Sequence, residues 1–158
     1  MLHVYLVASK SKDPSTKIGA VLVTDNVLIS EGYNGFCRKV NDNVANRWER
    51  PAKYSWIEHG ERNSIFNAAR RGIATENSVM YTQGIPCVDC ARAVIQAGVK
   101  KVICHKQWED AFKELTANGR TWTQDISAEM FGEAGVEVVR IDKQFGVQSL
   151  ISEKVVAV

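Results

Sequence analysis

Residues 78–105 read "SVMYTQGIPCVDCARAVIQAGVKKVICH", and the folding of this stretch decides the architecture. "SVMYTQ" and "KKVICH" are short runs rich in apolar and β-branched residues, the pattern of strands. Between them Ala91, Val94 and Ile95 recur at helical spacing, with Pro86 at the entry and Gly98 at the C-cap. Strand, helix, strand is the repeating unit of a layered α/β fold.

Working outward, "IGAVLV" and "VLISEGYN" flank "TDN" and predict a β-hairpin over residues 18–34. Residues 60–71 take helical period, with Ile65, Ala68 and Ala69 as the inward stripe, Phe66 beside it and Gly72 as the stop. Downstream, "QWEDAFKELTANG" predicts a helix ended by Asn118-Gly119, and "TQDISAEMFGEAG" a second one from near Thr123 to Gly135. "VEVVRI" closes the series as a strand, whereas residues 2–9 fit either a short helix or a strand. The order predicts a three-layer α-β-α sandwich around a mixed five-stranded sheet. Ligands in such folds gather where helices begin beyond the strand ends.

The 158 residues, 45% of them hydrophobic, suffice for one sizeable core and are read as a single domain. Within it, residues 36–57 are a long polar stretch without a period, the mark of an active-site loop, and 141–158 form a tail of undecided role. Twenty Lys and Arg against 18 Asp and Glu leave a formal charge of +2, which speaks against a polynucleotide-binding face. No apolar run approaches the roughly 20 residues that cross a bilayer. The start lacks the marks of a signal peptide, so the cytoplasm is the expected location. In a reducing compartment the four cysteines are thiols or metal ligands rather than disulfides.

Chemistry concentrates in "WIEHGERNSIFNAARRG", residues 56–72, and "IPCVDC", residues 85–90. Zinc accepts imidazole nitrogen and thiolate sulfur, and His59, Cys87 and Cys90 offer three such donors. Cys87 and Cys90, at i and i+3, share one side of a first helical turn, where the helix N-terminus favours thiolate. A C-x-x-C alone also suits a redox pair or a structural zinc half-site, with Cys104 or His105 as further donors. A His-x-Glu alone suits a helix cap. Together they match the H-x-E…P-C-x-x-C signature of zinc nucleobase deaminases. In that chemistry Glu61 is the general acid and base, moving protons from water to the ring nitrogen and then to the departing amine.

The chain also resembles the deoxycytidylate (dCMP) deaminases within the cytidine deaminase-like superfamily. The resemblance lies in "SKDPSTKIGAVLV" (11–23), "GYNGF" (32–36), "EHGERNSIFNAA", "MYTQGIPCVDCARAVIQAGVKKVI" and "EAGVEV", most of residues 9–139. It implies hydrolysis of dCMP to dUMP and ammonia, feeding thymidylate synthesis, with zinc on His59, Cys87 and Cys90 and Glu61 as proton shuttle. It further implies that Asn34 lies at the sugar and that backbone N–H groups around Gly60 lie near the base. Gly60 stands where the family usually has alanine; the smaller residue loosens or widens the pocket and leaves the tolerance at ring C5 open. Cys37 replaces a usual proline.

For the phosphate, the resemblance points to Arg70 and to the N-terminal loop with Lys12; Arg38 stands among the cations of the long loop. Trp48, Tyr54 and Trp56 are expected to hold that loop down, and Trp108 and Trp122 to pack the C-terminal half. Many family members are hexamers that answer oppositely to dCTP and dTTP, so a homo-oligomer with such effectors is implied, and a chain of this length fits a bacteriophage or bacterial enzyme. The rival readings are a deaminase of dCTP or C5-modified dCMP, a polynucleotide deaminase, and a non-enzymatic zinc or redox protein.

Overall fold

The structure, a computed structural model, describes residues 1–116 and 124–158. The expected stop at Asn118-Gly119, the start at Thr123 and the packing of Trp122 lie outside the described residues. Residues 2–9 form a helix, α1 (Leu2–Ser9). The predicted hairpin is β1 (Gly19–Thr24) and β2 (Val27–Tyr33), and its turn residues Asp25 and Asn26 both have positive φ, 50° and 63°. That pair of left-handed residues matches the twist of the flanking strands, and Asp and Asn tolerate it.

The long loop opens with β3 (Gly35–Phe36), passes a 3₁₀ turn at Ala45–Trp48 and the short helix α2 (Lys53–Trp56), and returns as β4 (Ile57–Glu58). Then come α3 (Gly60–Arg70), β5 (Val79–Thr82), α4 (Val88–Gln96), β6 (Lys101–His105), α5 (Lys106–Thr116), α6 (Gln124–Glu133) and β7 (Glu137–Ile141). The main sheet has five strands in the order β2-β1-β5-β6-β7, antiparallel from β2 to β5 and parallel from β5 to β7. This is the predicted mixed sheet.

Helices cover both faces. On one side α3, α4 and α6 bury Leu22, Met80, Ala91, Val94, Val102 and Phe131 in a common core. On the other side Tyr5 of α1 and Trp108 of α5 form a second core. Close backbone approach sets the first layer on the hairpin: a Cβ on Gly32 of β2 would stand 2.2 Å from the Ser64 nitrogen of α3. Gly19 does the same for α1 on the opposite face, where a Cβ would stand 2.3 Å from the Val4 oxygen.

One expectation changes, and the undecided tail takes a place. The buried stripe of α3 is Gly60, Glu61, Ser64 and Ala68, while Ala69 and Phe66 face outward. Ser64 is admitted because it is bonded: its hydroxyl donates to the Glu61 carbonyl, and the Ser30 hydroxyl donates to the Ser64 carbonyl. The tail is itself structured, as a hairpin of β8 (Gln148–Ile151) and β9 (Lys154–Ala157). It places Ile151 and Val158 in the second core, and the Ser149 hydroxyl accepts from Trp108 Nε1 at 3.0 Å. No helix among the described residues is long and apolar enough to cross a membrane.

Candidate metal centre

His59 and Cys87 are the N-caps of α3 and α4, both in extended backbone conformation, and Cys90 lies in the first turn of α4. The two helix starts therefore converge. His59 Nδ1 lies 3.4 Å from each of the two sulfurs, and the donor atoms of all three residues lie within 4.8 Å of one another. Among the described residues they form the one such cluster of His, Cys, Asp or Glu. Cys104 and His105 are not in it. His105 is buried between the Tyr5 hydroxyl and the Lys143 carbonyl, and Cys104 is buried in the core.

Glu61, in the first turn of α3, is buried, and its Oε2 has no hydrogen-bond partner among the described residues. Burial pushes its carboxyl up, and the charge of His59 opposes that. Bonding with Cys87, stronger than the opposing effect of burial, lifts the His59 imidazole to about 9. The Cys87 thiol is pulled down to about 4, first by its bond with Cys90 and then, against burial, by His59. Cys90 is pushed up by the bond with Cys87 and by burial.

Zinc fits these residues. Bonds of about 2.3 Å to sulfur and 2.1 Å to nitrogen in a tetrahedron put nitrogen and sulfur ligands about 3.6 Å apart, close to the spacing found. Three N and S donors leave a fourth position, and the orphaned Glu61 oxygen is the kind of buried polar atom that a water or substrate in such a site would satisfy. Glu58 supports the arrangement: its Oε1 accepts the His59 backbone N–H at 2.9 Å and the Arg62 Nε–H at 2.5 Å.

The other residues singled out from the sequence are placed as follows. Asn34 is buried, its amide donating to the Thr16 carbonyl and Asp13 Oδ2 while its Oδ1 accepts the Ile18 N–H. It ties residues 13–18 to the hairpin. A Cβ on Gly60 would stand 3.1 Å from the Ile18 oxygen and 3.3 Å from the Gly32 oxygen. The glycine therefore packs closely on the hairpin. Lys12 pairs with Asp42 at 2.9 Å, and Arg38 donates to Asn67 on α3. Arg70 is exposed at the far end of α3, about 16 Å along the axis from His59.

The long loop is pinned by aromatic rings, as expected for Trp48 and Trp56. Phe36 stacks on Trp48 with ring centroids 4.3 Å apart, Trp56 lies 6.2 Å from Phe36, and the Arg47 guanidinium sits 4.1 Å above Trp56. Sequence reasoning missed Lys53, which is buried with Nζ 2.9 Å from Asp13 Oδ2 and 2.6 Å from the Ser15 hydroxyl. A cleft of about 380 Å³ between this loop and Pro14, Ser15 and Glu153 does not include the metal-site residues.

Residues 1–106 match the family model of the cytidine and deoxycytidylate deaminase zinc-binding region. The chain belongs to this family. It is a deaminase, and its cofactor is zinc. A deaminase of the luxG 3′ region of Aliivibrio fischeri is 40% identical over 135 residues, 84% of each chain. The deoxycytidylate deaminase of Mus musculus is 37% identical over 124 residues, 74% of this chain and 68% of that one. The fold is also that of the dCMP deaminase of cyanophage S-TIM5 in complex with dCMP and dUMP: TM-score 0.64, 21% identity, covering 89% of this chain and 92% of that one.

Proposed function

We propose that this protein hydrolyses dCMP to dUMP and ammonia, with zinc held by His59, Cys87 and Cys90 and with Glu61 moving the protons. The observation that carries the reading is the buried, unpartnered Glu61 Oε2 beside the three converged donors, in a relative of deoxycytidylate deaminases. Bound zinc would supply Lewis acidity, which makes water a nucleophile near neutral pH.

The chain's own residues do the rest. As water attacks C4 of the cytosine ring, Glu61 takes one proton from it and delivers that proton to N3. Glu61 then takes the remaining proton from the hydroxyl on C4 and gives it to the amine as the C4–N bond breaks, so that the ring becomes uracil and the nitrogen leaves as ammonia. Burial suits the carboxyl to this task, because a raised pKa lets it hold the proton between the two transfers. Asn34 would present the 13–18 loop to the sugar rather than spend its own amide there. Lys12, paired with Asp42 of the long loop, and Arg38, within that loop, are the first candidates for the phosphate. Residues 36–57 form the loop over the pocket, the chain acts as one deaminase domain, and the product dUMP feeds thymidylate synthesis.

The test compares zinc-loaded protein on dCMP, dCTP, 5-methyl-dCMP and deoxycytidine, following ammonia release. The reading expects dCMP to have the highest kcat/KM. Preference for dCTP or the methylated nucleotide would replace dCMP as the substrate.

A further inference from the structure

A carboxylate stands behind each of the two helix starts that carry the metal donors. Behind α3 it is Glu58, bonded to the His59 N–H and paired with Arg62. Behind α4 it is Glu109, in the first turn of α5, which plays no part in the proton transfers. Glu109 is 3% exposed; its Oε1 accepts the Ile85 N–H at 2.7 Å and its Oε2 the Arg140 Nε–H at 2.8 Å.

The position of Ile85 makes this contact consequential. Between the end of β5 and the start of α4 the chain runs without regular structure through Gln83, Gly84, Ile85 and Pro86 to Cys87. Pro86 has no N–H, so that of Ile85 is the last backbone donor before Cys87. Gln83 is held by its side chain, which accepts from the Gly19 N–H at 2.6 Å and donates to the Lys17 carbonyl. Gly84 lies under the Trp108 ring so closely that a Cβ would stand 2.6 Å from it. With Gln83 and Gly84 fixed and Pro86 limited in φ, the bond from Ile85 to Glu109 sets the direction in which the chain enters Cys87. Arg140 reaches Glu109 from β7, where it lies opposite Cys104 in the parallel register.

We propose that Glu109, held by Arg140, is a positioning residue that keeps the Cys87 sulfur in register with His59 and Cys90. This rests on the reading of those three residues as the zinc ligands. A buried carboxylate is costly unless its oxygens are bonded, and here each oxygen has one charged or backbone donor. The charge-assisted bond to Ile85 is stronger than a neutral acceptor would give.

The test is zinc affinity, read by competition with a chromophoric chelator, together with the visible spectrum of the cobalt(II)-substituted protein. Glu109→Ala is expected to weaken zinc binding about 10–100-fold and to alter the cobalt spectrum. Glu109→Gln keeps an acceptor for the Ile85 N–H and is expected to stay closer to wild type. Val7→Ala, a cavity in the core of the opposite layer, lowers stability without touching this contact and should leave zinc affinity unchanged. Should Glu109→Ala not fold, Arg140→Leu, at a half-exposed position, carries the test with an expected loss of about tenfold. Unchanged zinc affinity in the variant that folds, or an equal loss in Val7→Ala, overturns the proposal. A wild-type protein that takes up no zinc overturns it together with the ligand assignment beneath it.

Discussion

His59 and Cys87 are 28 residues apart in sequence, yet the imidazole Nδ1 and the thiol sulfur lie 3.4 Å from each other because each residue caps a helix and the two helix starts converge. The position of each cap depends on how its helix sits on the strands, so the donor set is sensitive to contacts well outside it.

Gly32 is the sharpest case. Replacement by Ala would drive a Cβ into the Ser64 backbone nitrogen, and backbone cannot swing away as a side chain does. Gly32→Ala should cost about 1–3 kcal/mol or more in urea unfolding and should displace α3, and with it His59 and Glu61. A variant with wild-type stability and zinc affinity would show that α3 is not seated through this contact.

The Asp13–Lys53 pair predicts a pH dependence of stability. Burial alone would raise the Asp13 carboxyl, but the Lys53 ammonium together with the Ser15 N–H and hydroxyl holds it below its ordinary value. A carboxyl depressed in the folded state contributes stability above its unfolded pKa of about 3.9, and that contribution is lost as pH falls through the lower folded value. Melting followed from pH 6 to pH 2 should show this loss below about pH 4, and Asp13→Asn should flatten that part of the curve. Lys53→Ala leaves the carboxylate buried and unpaired and should cost about 3–5 kcal/mol at neutral pH.

The C-terminal hairpin is expected to be part of the cooperative fold. The Ser149 hydroxyl accepts from both Trp108 Nε1 and Gln83 Nε2, and Ser149→Ala leaves the buried indole N–H without that acceptor. A loss of about 1–3 kcal/mol in denaturant unfolding is predicted. Unchanged stability would mean that the hairpin is seated by its apolar residues alone.

These contacts also mark what the sequence could and could not tell. The hairpin turn at Asp25-Asn26, the strand–helix–strand unit and the paired cysteines after Pro86 are local signals, each complete within a few turns of chain, and each is present as read. Lys53 and Asp13 lie 40 residues apart, and Ser152 donates to Thr16 across 136. Nothing in the spacing of such residues announces the pairing. The tail strands β8 and β9 have four residues each, too short for alternation to stand out. On α3 the apolar pattern favours Ala69, whereas the fold buries Ser64, whose hydroxyl is bonded to the Glu61 carbonyl, and Glu61, whose carboxyl lies among His59, Cys87 and Cys90.

The central claim is tested most directly by ammonia release from dCMP and bound zinc, measured side by side in the wild-type protein and in Glu61→Gln. The account predicts one zinc per chain in both, with turnover reduced about 10²–10⁴-fold in the variant. A Glu61→Gln protein that deaminates dCMP at the wild-type rate, or a zinc-loaded wild-type protein that releases no ammonia from dCMP, would contradict it.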